Sequence, residues 1–259
     1  MNERSKQIIT LVATFLGVLG PAIGSLTFNP GGSDTGQISD RFFADVTIVP
    51  ADYAFAIWAP IYLGFLAFAV FQVLPAQRTN PRFVRARWWV TASALLNGAW
   101  LLVFNNLLFT LSALVIIGML ITALGIHRAL SIGHTSVTGL ERWLRAPFSL
   151  YAAWLTVATV VNVSGALELA GWGGFGVSFA TWGALMLIIA TLIGLFARFR
   201  LNDPVYGGVF VWAFIAIAVA SNQPVIVILT ASILALVFAL SLLPHLFSQA
   251  VGSAKGRTA

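Results

Sequence analysis

Long apolar runs without an ionisable residue inside them constrain this chain more than any other feature. Eight such runs follow one another, and basic clusters fall between them rather than within them. Only 8% of the 259 residues are charged and 59% are hydrophobic, against about 25% charged in a soluble domain. Mean hydropathy is +0.93. The fold class this predicts is all-α, a polytopic transmembrane helix bundle of about eight helices. The net charge of +6 would suit a nucleic-acid partner only if it were gathered on one surface. Its distribution in short inter-span clusters is instead that of topology signals, so no nucleic acid is expected.

The spans are read as about Ser5–Leu26, Tyr53–Leu74, Trp88–Phe104, Leu107–Leu130, Pro147–Gly165, Val177–Phe199, Val205–Ala220 and Val225–Phe247. At 16 to 24 residues they fit a hydrocarbon core of about 30 Å, Val205–Ala220 being the shortest. Arg4 and Lys6 before the first run also fit a signal peptide, but the run is read as a retained helix. With the N-terminus inside, thirteen of the fourteen Lys and Arg fall on the inner side and Arg41 alone lies outside, which agrees with the positive-inside rule. Both termini are therefore expected to be cytoplasmic. Between the first two spans, residues 28–51 form the longest polar segment, read as a loop or lid with Phe42 and Phe43 resting on the membrane surface. Gly20 and Gly24 form a small-xxx-small pair that would permit close helix contact in the first span, or are simply two glycines near a helix end beside Pro21.

Several chemistries have no residues to carry them. There is no Cys. No span interior holds Lys, Arg, Asp or Glu, the residues on which pumps and proton relays depend. His127, His134 and His245 have no metal-ligand spacing and read as interfacial, with an axial haem ligand at His127 or His245 as the alternative. No catalytic triad, phosphate loop or zinc-protease motif occurs. Neither an enzyme nor a metal site is expected.

Aromatic residues and amides do form a pattern. Phe55, Trp58 and Tyr62 lie at i, i+3 and i+7 on one face, with Tyr53 just before them. Asn97 and Trp100 sit at i and i+3. Tyr151, Trp154, Ala158 and Asn162, spaced 3, 4 and 4, make one helical stripe. An amide in a lipid-embedded helix needs a partner, either another helix or a ligand. Trp88, Trp89, Trp143 and Trp172 fall near predicted span ends and read as interface anchors, whereas Trp58, Trp100 and Trp154 lie deeper.

These motifs resemble the TspO/MBR family, the tryptophan-rich sensory or translocator proteins. The resemblance rests on Pro50, Trp58 and Tyr62 in the second span, on Asn97, Ala99 and Trp100 in the third, and on Tyr151, Trp154, Ala158 and Asn162 in the fifth. The family's Pro before that Tyr is replaced by Leu150, with Pro147 the nearest proline. The likeness covers about residues 5–165. It divides the chain into a five-helix membrane bundle (1–165) and a C-terminal extension of about three transmembrane helices (166–259), a long variant of the family. It implies a pocket between the second, third and fifth helices under the 28–51 segment, and binding of porphyrin, haem or another flat apolar pigment, with no cofactor required. The ligand-binding residues implied are Tyr53, Phe55, Trp58, Tyr62, Asn97, Trp100, Tyr151, Trp154, Ala158 and Asn162, with none catalytic. The function expected is non-enzymatic binding or sensing in a bacterial plasma membrane, with the bilayer and a small apolar ligand as partners. A facilitator-type transporter, a pigment-holding subunit of a larger complex and a homodimer stay open at this point.

Overall fold

The computed structural model describes residues 1–28, 35–43 and 46–255. Among the described residues there are nine α-helices and no strand: α1 (Glu3–Phe28), α2 (Thr35–Phe42), α3 (Trp58–Phe71), α4 (Pro81–Asn105), α5 (Phe109–Ala129), α6 (Gly139–Leu169), α7 (Phe179–Leu201), α8 (Pro204–Ala218) and α9 (Val225–Lys255). A 3₁₀ turn over Asp52–Ile57 runs directly into α3. Five helical stretches are long and apolar enough to cross a membrane: Asp52–Phe71, Phe109–Ala129, Gly139–Leu169, Phe179–Leu201 and Val225–His245. The apolar helix Pro204–Ala218 is shorter. In α4 the hydropathy is lowered by Arg82, Arg85 and Arg87 in the first turns and by Asn97 and three tryptophans beyond them.

Helices α1, α4, α5, α6 and α3 pack side by side in that order and close into a ring. Helix α8 leans on α6, and α7 and α9 flank α8. Two backbone approaches fix the ring. A Cβ at Gly17 of α1 would lie 1.9 Å from the Ala94 carbonyl oxygen of α4, and Gly98 faces Gly17 at the same crossing. A Cβ at Gly64 of α3 would lie 2.0 Å from the Pro147 Cβ of α6. Small residues let helices approach this closely in a bilayer, where tight packing replaces the hydrophobic drive. Gly20 meets nothing within 4 Å, so the close contact in α1 is at Gly17 rather than at the expected pair; the Gly24 side of that pair lies outside the described side chains.

Three boundaries differ from expectation. Helix α4 starts at Pro81 instead of Trp88, because Asn80 caps it by accepting a hydrogen bond from the Arg82 amide (3.1 Å) and Pro81 suits the first helical position. Helix α6 starts at Gly139, so Pro147 lies inside the helix, nested against Gly64. Within the 28–51 segment, Thr35–Phe42 is helical, while residues 29–34 and 44–45 lie outside the described residues.

The basic end of the bundle is held by a polar network. Arg87 is fully buried. Its guanidinium donates to the Glu3 carboxylate, to Gln72 Oε1 (3.1 Å) and to the backbone carbonyls of Gln77 (2.9 Å) and Arg78 (3.1 Å). Gln7 and Gln72 each donate a side-chain amide to the other's backbone carbonyl. Arg82 holds Glu141 through two bonds of 2.6 and 2.9 Å, joining α4 to α6. Lys6, followed by Arg87, keeps the Glu3 carboxyl below the ordinary carboxylate range. His127, read from the sequence as a surface or interfacial residue, is not at the protein surface: it is fully buried, with Nε2 2.9 Å from Asp203 Oδ2. Asp203 sits in the turn between α7 and α8, caps α8 through the Val205 amide (3.0 Å) and also bonds Ser149 of α6. Burial pushes its carboxyl up, but the bonds and charge from His127, with those from Ser149 and Val205, outweigh that and hold it below the usual range.

Candidate functional site

At the opposite end of the ring the interior is aromatic. The helical period turns Trp58 of α3, Trp100 of α4 and Trp154 of α6 toward one another. Trp58 stacks on Trp100 with ring centroids 6.0 Å apart and on Tyr62 at 5.2 Å, and it meets Trp154 edge-on at 6.5 Å. Phe55 meets Trp154 edge-on at 6.1 Å. Offset and edge-to-face arrangements at such distances are the favoured ones for aromatic pairs. Trp100 also stacks on Phe104 at 5.1 Å.

Six of the ten residues singled out in the sequence, Phe55, Trp58, Trp100, Trp154, Ala158 and Asn162, line one cleft of about 30 Å³. Thr35, Ser39, Phe43 and Pro50 close it, so α2 and its flanks form the roof. Phe43 does not rest on the membrane surface as expected. It is 2% exposed, with its ring 5.0 Å from Phe109 and 5.9 Å from Phe104, and it covers Gly165. Phe42 is half-buried on Phe109. Arg41 is exposed with its guanidinium over the Phe42 ring at 5.3 Å.

Tyr62, Asn97 and Tyr151 lie in the adjacent layer, which is packed with no free volume. There Tyr62 donates to Asn97 Oδ1 (3.3 Å), Asn97 donates to the Gly17 carbonyl (3.1 Å), and Ser93 donates to the Tyr151 hydroxyl (3.0 Å). Tyr53 stands outside the cleft, 43% exposed, with its ring 5.0 Å from Trp212 of α8.

The polar groups of the cleft are nearly all satisfied. Asn162 accepts from Trp100 Nε1 and from Ser112 Oγ (3.4 Å each) and donates to the Ala158 carbonyl (3.0 Å). The exception is Trp154, 2% exposed, whose indole Nε1 has no acceptor. Among the described residues no His, Asp or Glu group is arranged to hold a metal.

Sequence reasoning missed that α8 and the turn after it hold the roof. The Ala51 amide donates to the Ala216 carbonyl (3.0 Å), Trp212 Nε1 to the Ala54 carbonyl (3.4 Å) and Gln223 Nε2 to the Val49 carbonyl (3.4 Å). These bonds span more than 150 residues, and no local signal announces them.

A ring of apolar helices with an aromatic interior and charges confined to its ends defines an integral membrane protein. A sequence model of the family described as TSPO-like protein matches residues 7–243, and the chain belongs to that family. The match takes in α7, α8 and most of α9 as well as the five-helix ring. Neither the comparison with curated proteins nor that with solved structures gives a match.

Proposed function

We propose that this protein binds or senses tetrapyrrole-like or other flat apolar ligands in the membrane, without enzymatic chemistry, between α3, α4 and α6 beneath α2. The observation that carries this reading is Trp154: a buried indole N–H with no acceptor, set among the rings of Phe55, Trp58 and Trp100. A buried donor left unmade costs about 1–3 kcal/mol, and a ligand acceptor in the cleft recovers it. Ligand sites are largely apolar with a few placed polar groups, and indole and phenol rings stack on a conjugated plane. A cleft of about 30 Å³ is far below the 300–1,000 Å³ of such sites. Binding on this reading therefore lifts α2 and withdraws Phe43.

The ligand is a porphyrin, a haem or another apolar pigment taken from the bilayer, and no cofactor is required. All helices except α2 cross the membrane, giving eight spans. The basic end and both termini face the cytoplasm of a bacterial plasma membrane, as the distribution of Arg and Lys supports.

The test is titration of protoporphyrin IX into the detergent-solubilised full chain, read by tryptophan fluorescence. The wild-type protein shows saturable quenching, and the Trp58→Ala, Trp154→Ala double variant loses it. Unchanged quenching in a variant that keeps a cooperative melt overturns the proposal.

A further inference from the structure

The aromatic cleft lies on one side of α6. The other side of the same helix borders a separate cavity of about 250 Å³. Residues Val157, Ala158 and Val161 face the cleft, whereas Thr159, Val160 and Val163 face the cavity. The opposite wall is α7, through Trp182 and Met186, and the segment 46–48 forms part of the lining. None of the residues inferred above for tetrapyrrole binding lines it.

Three observations mark it as a built site rather than a packing gap. Its volume exceeds by far what a methyl-sized defect leaves, and it is larger than the roughly 150 Å³ apolar cavity that stays dry and takes benzene. Its walls are almost wholly apolar, Glu168 being the one charged residue among them. Thr159 is one of its lining residues, and the Thr159 hydroxyl, buried just behind the wall, has no hydrogen-bond partner and needs only a side-chain rotation to meet a ligand. The walls are themselves fixed. Trp182 donates Nε1 to the Gly174 carbonyl (2.6 Å) and packs on Trp172 at 5.0 Å; Thr47 Oγ1 donates to the Phe179 carbonyl (3.2 Å). Leu167, Phe179 and Ile189 are exposed at the outer margin, and with α6 and α7 taken as membrane spans the opening faces the bilayer.

We infer that the space between α6 and α7 is a second binding site, for an uncharged hydrocarbon of one or two rings, or a short chain, carrying one oxygen that meets Thr159. At about 250 Å³ it is below the 300–1,000 Å³ range of drug-sized ligands, which separates it from the tetrapyrrole reading. Apolar walls disfavour charged ligands, because a charge among them loses its hydration, and the Glu168 carboxylate repels anions in addition. The same chemistry arises from a free apolar alcohol or ketone dissolved in the bilayer and from the ester end of a lipid chain.

The probes are 1-naphthol and naphthalene, measured by equilibrium dialysis against the detergent-solubilised full chain, with native mass spectrometry of the same samples. The wild-type protein takes up one saturable equivalent of naphthol and binds it more tightly than naphthalene. Thr159→Val removes the hydroxyl with little change of shape and lowers that preference about 3- to 10-fold, the worth of one hydrogen bond. Val163→Trp fills the cavity and abolishes uptake. Loss of a co-purified phospholipid on adding naphthol identifies the natural source as a bilayer chain; uptake with no lipid displaced identifies a free molecule. Absence of saturable uptake by the wild type, or an unchanged preference in Thr159→Val, overturns the inference. The readout is independent of porphyrin quenching, so either proposal can fail alone.

Discussion

At the basic end of the bundle, Arg87 is fully buried and its guanidinium reaches four acceptors. At the other end Trp154 is just as deep and its N–H reaches none. The same helices build both ends. What differs is the material around these two groups: carboxylate, amide and carbonyls that bond all three guanidinium nitrogens of Arg87 at one end, and rings about an orphan indole donor at the other. A saturated network holds a single arrangement, because every displacement leaves a buried polar group unmade. Stacked rings tolerate sliding and exchange of partners. One end of the bundle therefore fixes the helices, and the other can rearrange, as the binding proposed between α3, α4 and α6 requires.

The contrast can be broken most severely at Asp203. Asp203→Ala strips His127 of its partner and α8 of its cap, and costs about 2–4 kcal/mol, the loss of a buried hydrogen bond and a helix cap together. A thermal melt in detergent shows it directly. The pH dependence follows from the depressed carboxyl. The wild-type protein has this contribution in full above the ordinary aspartate range near about pH 4 and loses it as pH falls through the lower folded value. The variant shows no such loss, so the two melting curves converge in acid.

Next in size is Gly17→Ala. Its added methyl would sit 1.9 Å from the Ala94 carbonyl oxygen, so α1 and α4 are forced apart at a cost of about 1–3 kcal/mol. Gly20→Ala, in open space, leaves the melt unchanged, and equal effects at the two positions would show that the helices do not touch there. The smallest effect is expected from Trp212→Ala. It removes the edge contact with Tyr53 and the bond to the Ala54 carbonyl, worth about 1 kcal/mol. Amide hydrogen exchange over residues 51–57 then speeds up roughly 5-fold while the basic end is unaffected.

What the sequence makes legible is what the helical period controls. Trp58, Trp100 and Trp154 converge as their stripes predict, and Phe55, Trp58 and Tyr62 share an inward face. Partners far apart in the chain leave no periodic trace. His127 looks interfacial because it stands beside Arg128 near a helix end, and only Asp203, 76 residues later, explains its burial. Helix α2 escapes notice because its eight residues are mostly polar and its apolar face is only Ile38 and Phe42, too short a stripe to announce a helix, and Phe43 gains its place only when Gly165 makes room for the ring. The start of α4 was readable, since Asn80–Pro81 is a cap followed by a first-turn proline, but the arginines beyond it resemble a loop. Trp172, near a predicted span end like Trp88 and Trp89, packs on Trp182 against the α6–α7 cavity.

The nested pair Gly64 and Pro147 has a mechanical meaning. Pro147 lies in the first third of α6, on the basic side, and its ring sits where Gly64 has no side chain to yield. Elsewhere α3 and α6 meet ring to ring, as at Phe65 with Phe148 and Trp58 with Trp154, and rings can slip; at this closest point the two rods can pivot but cannot slide. A small swing of α6 about this fulcrum leaves the arginine end nearly still and is magnified along the long arm that carries Trp154 and Asn162. The molecule is jointed like a pair of tongs, with the grip at one end and the jaws at the other.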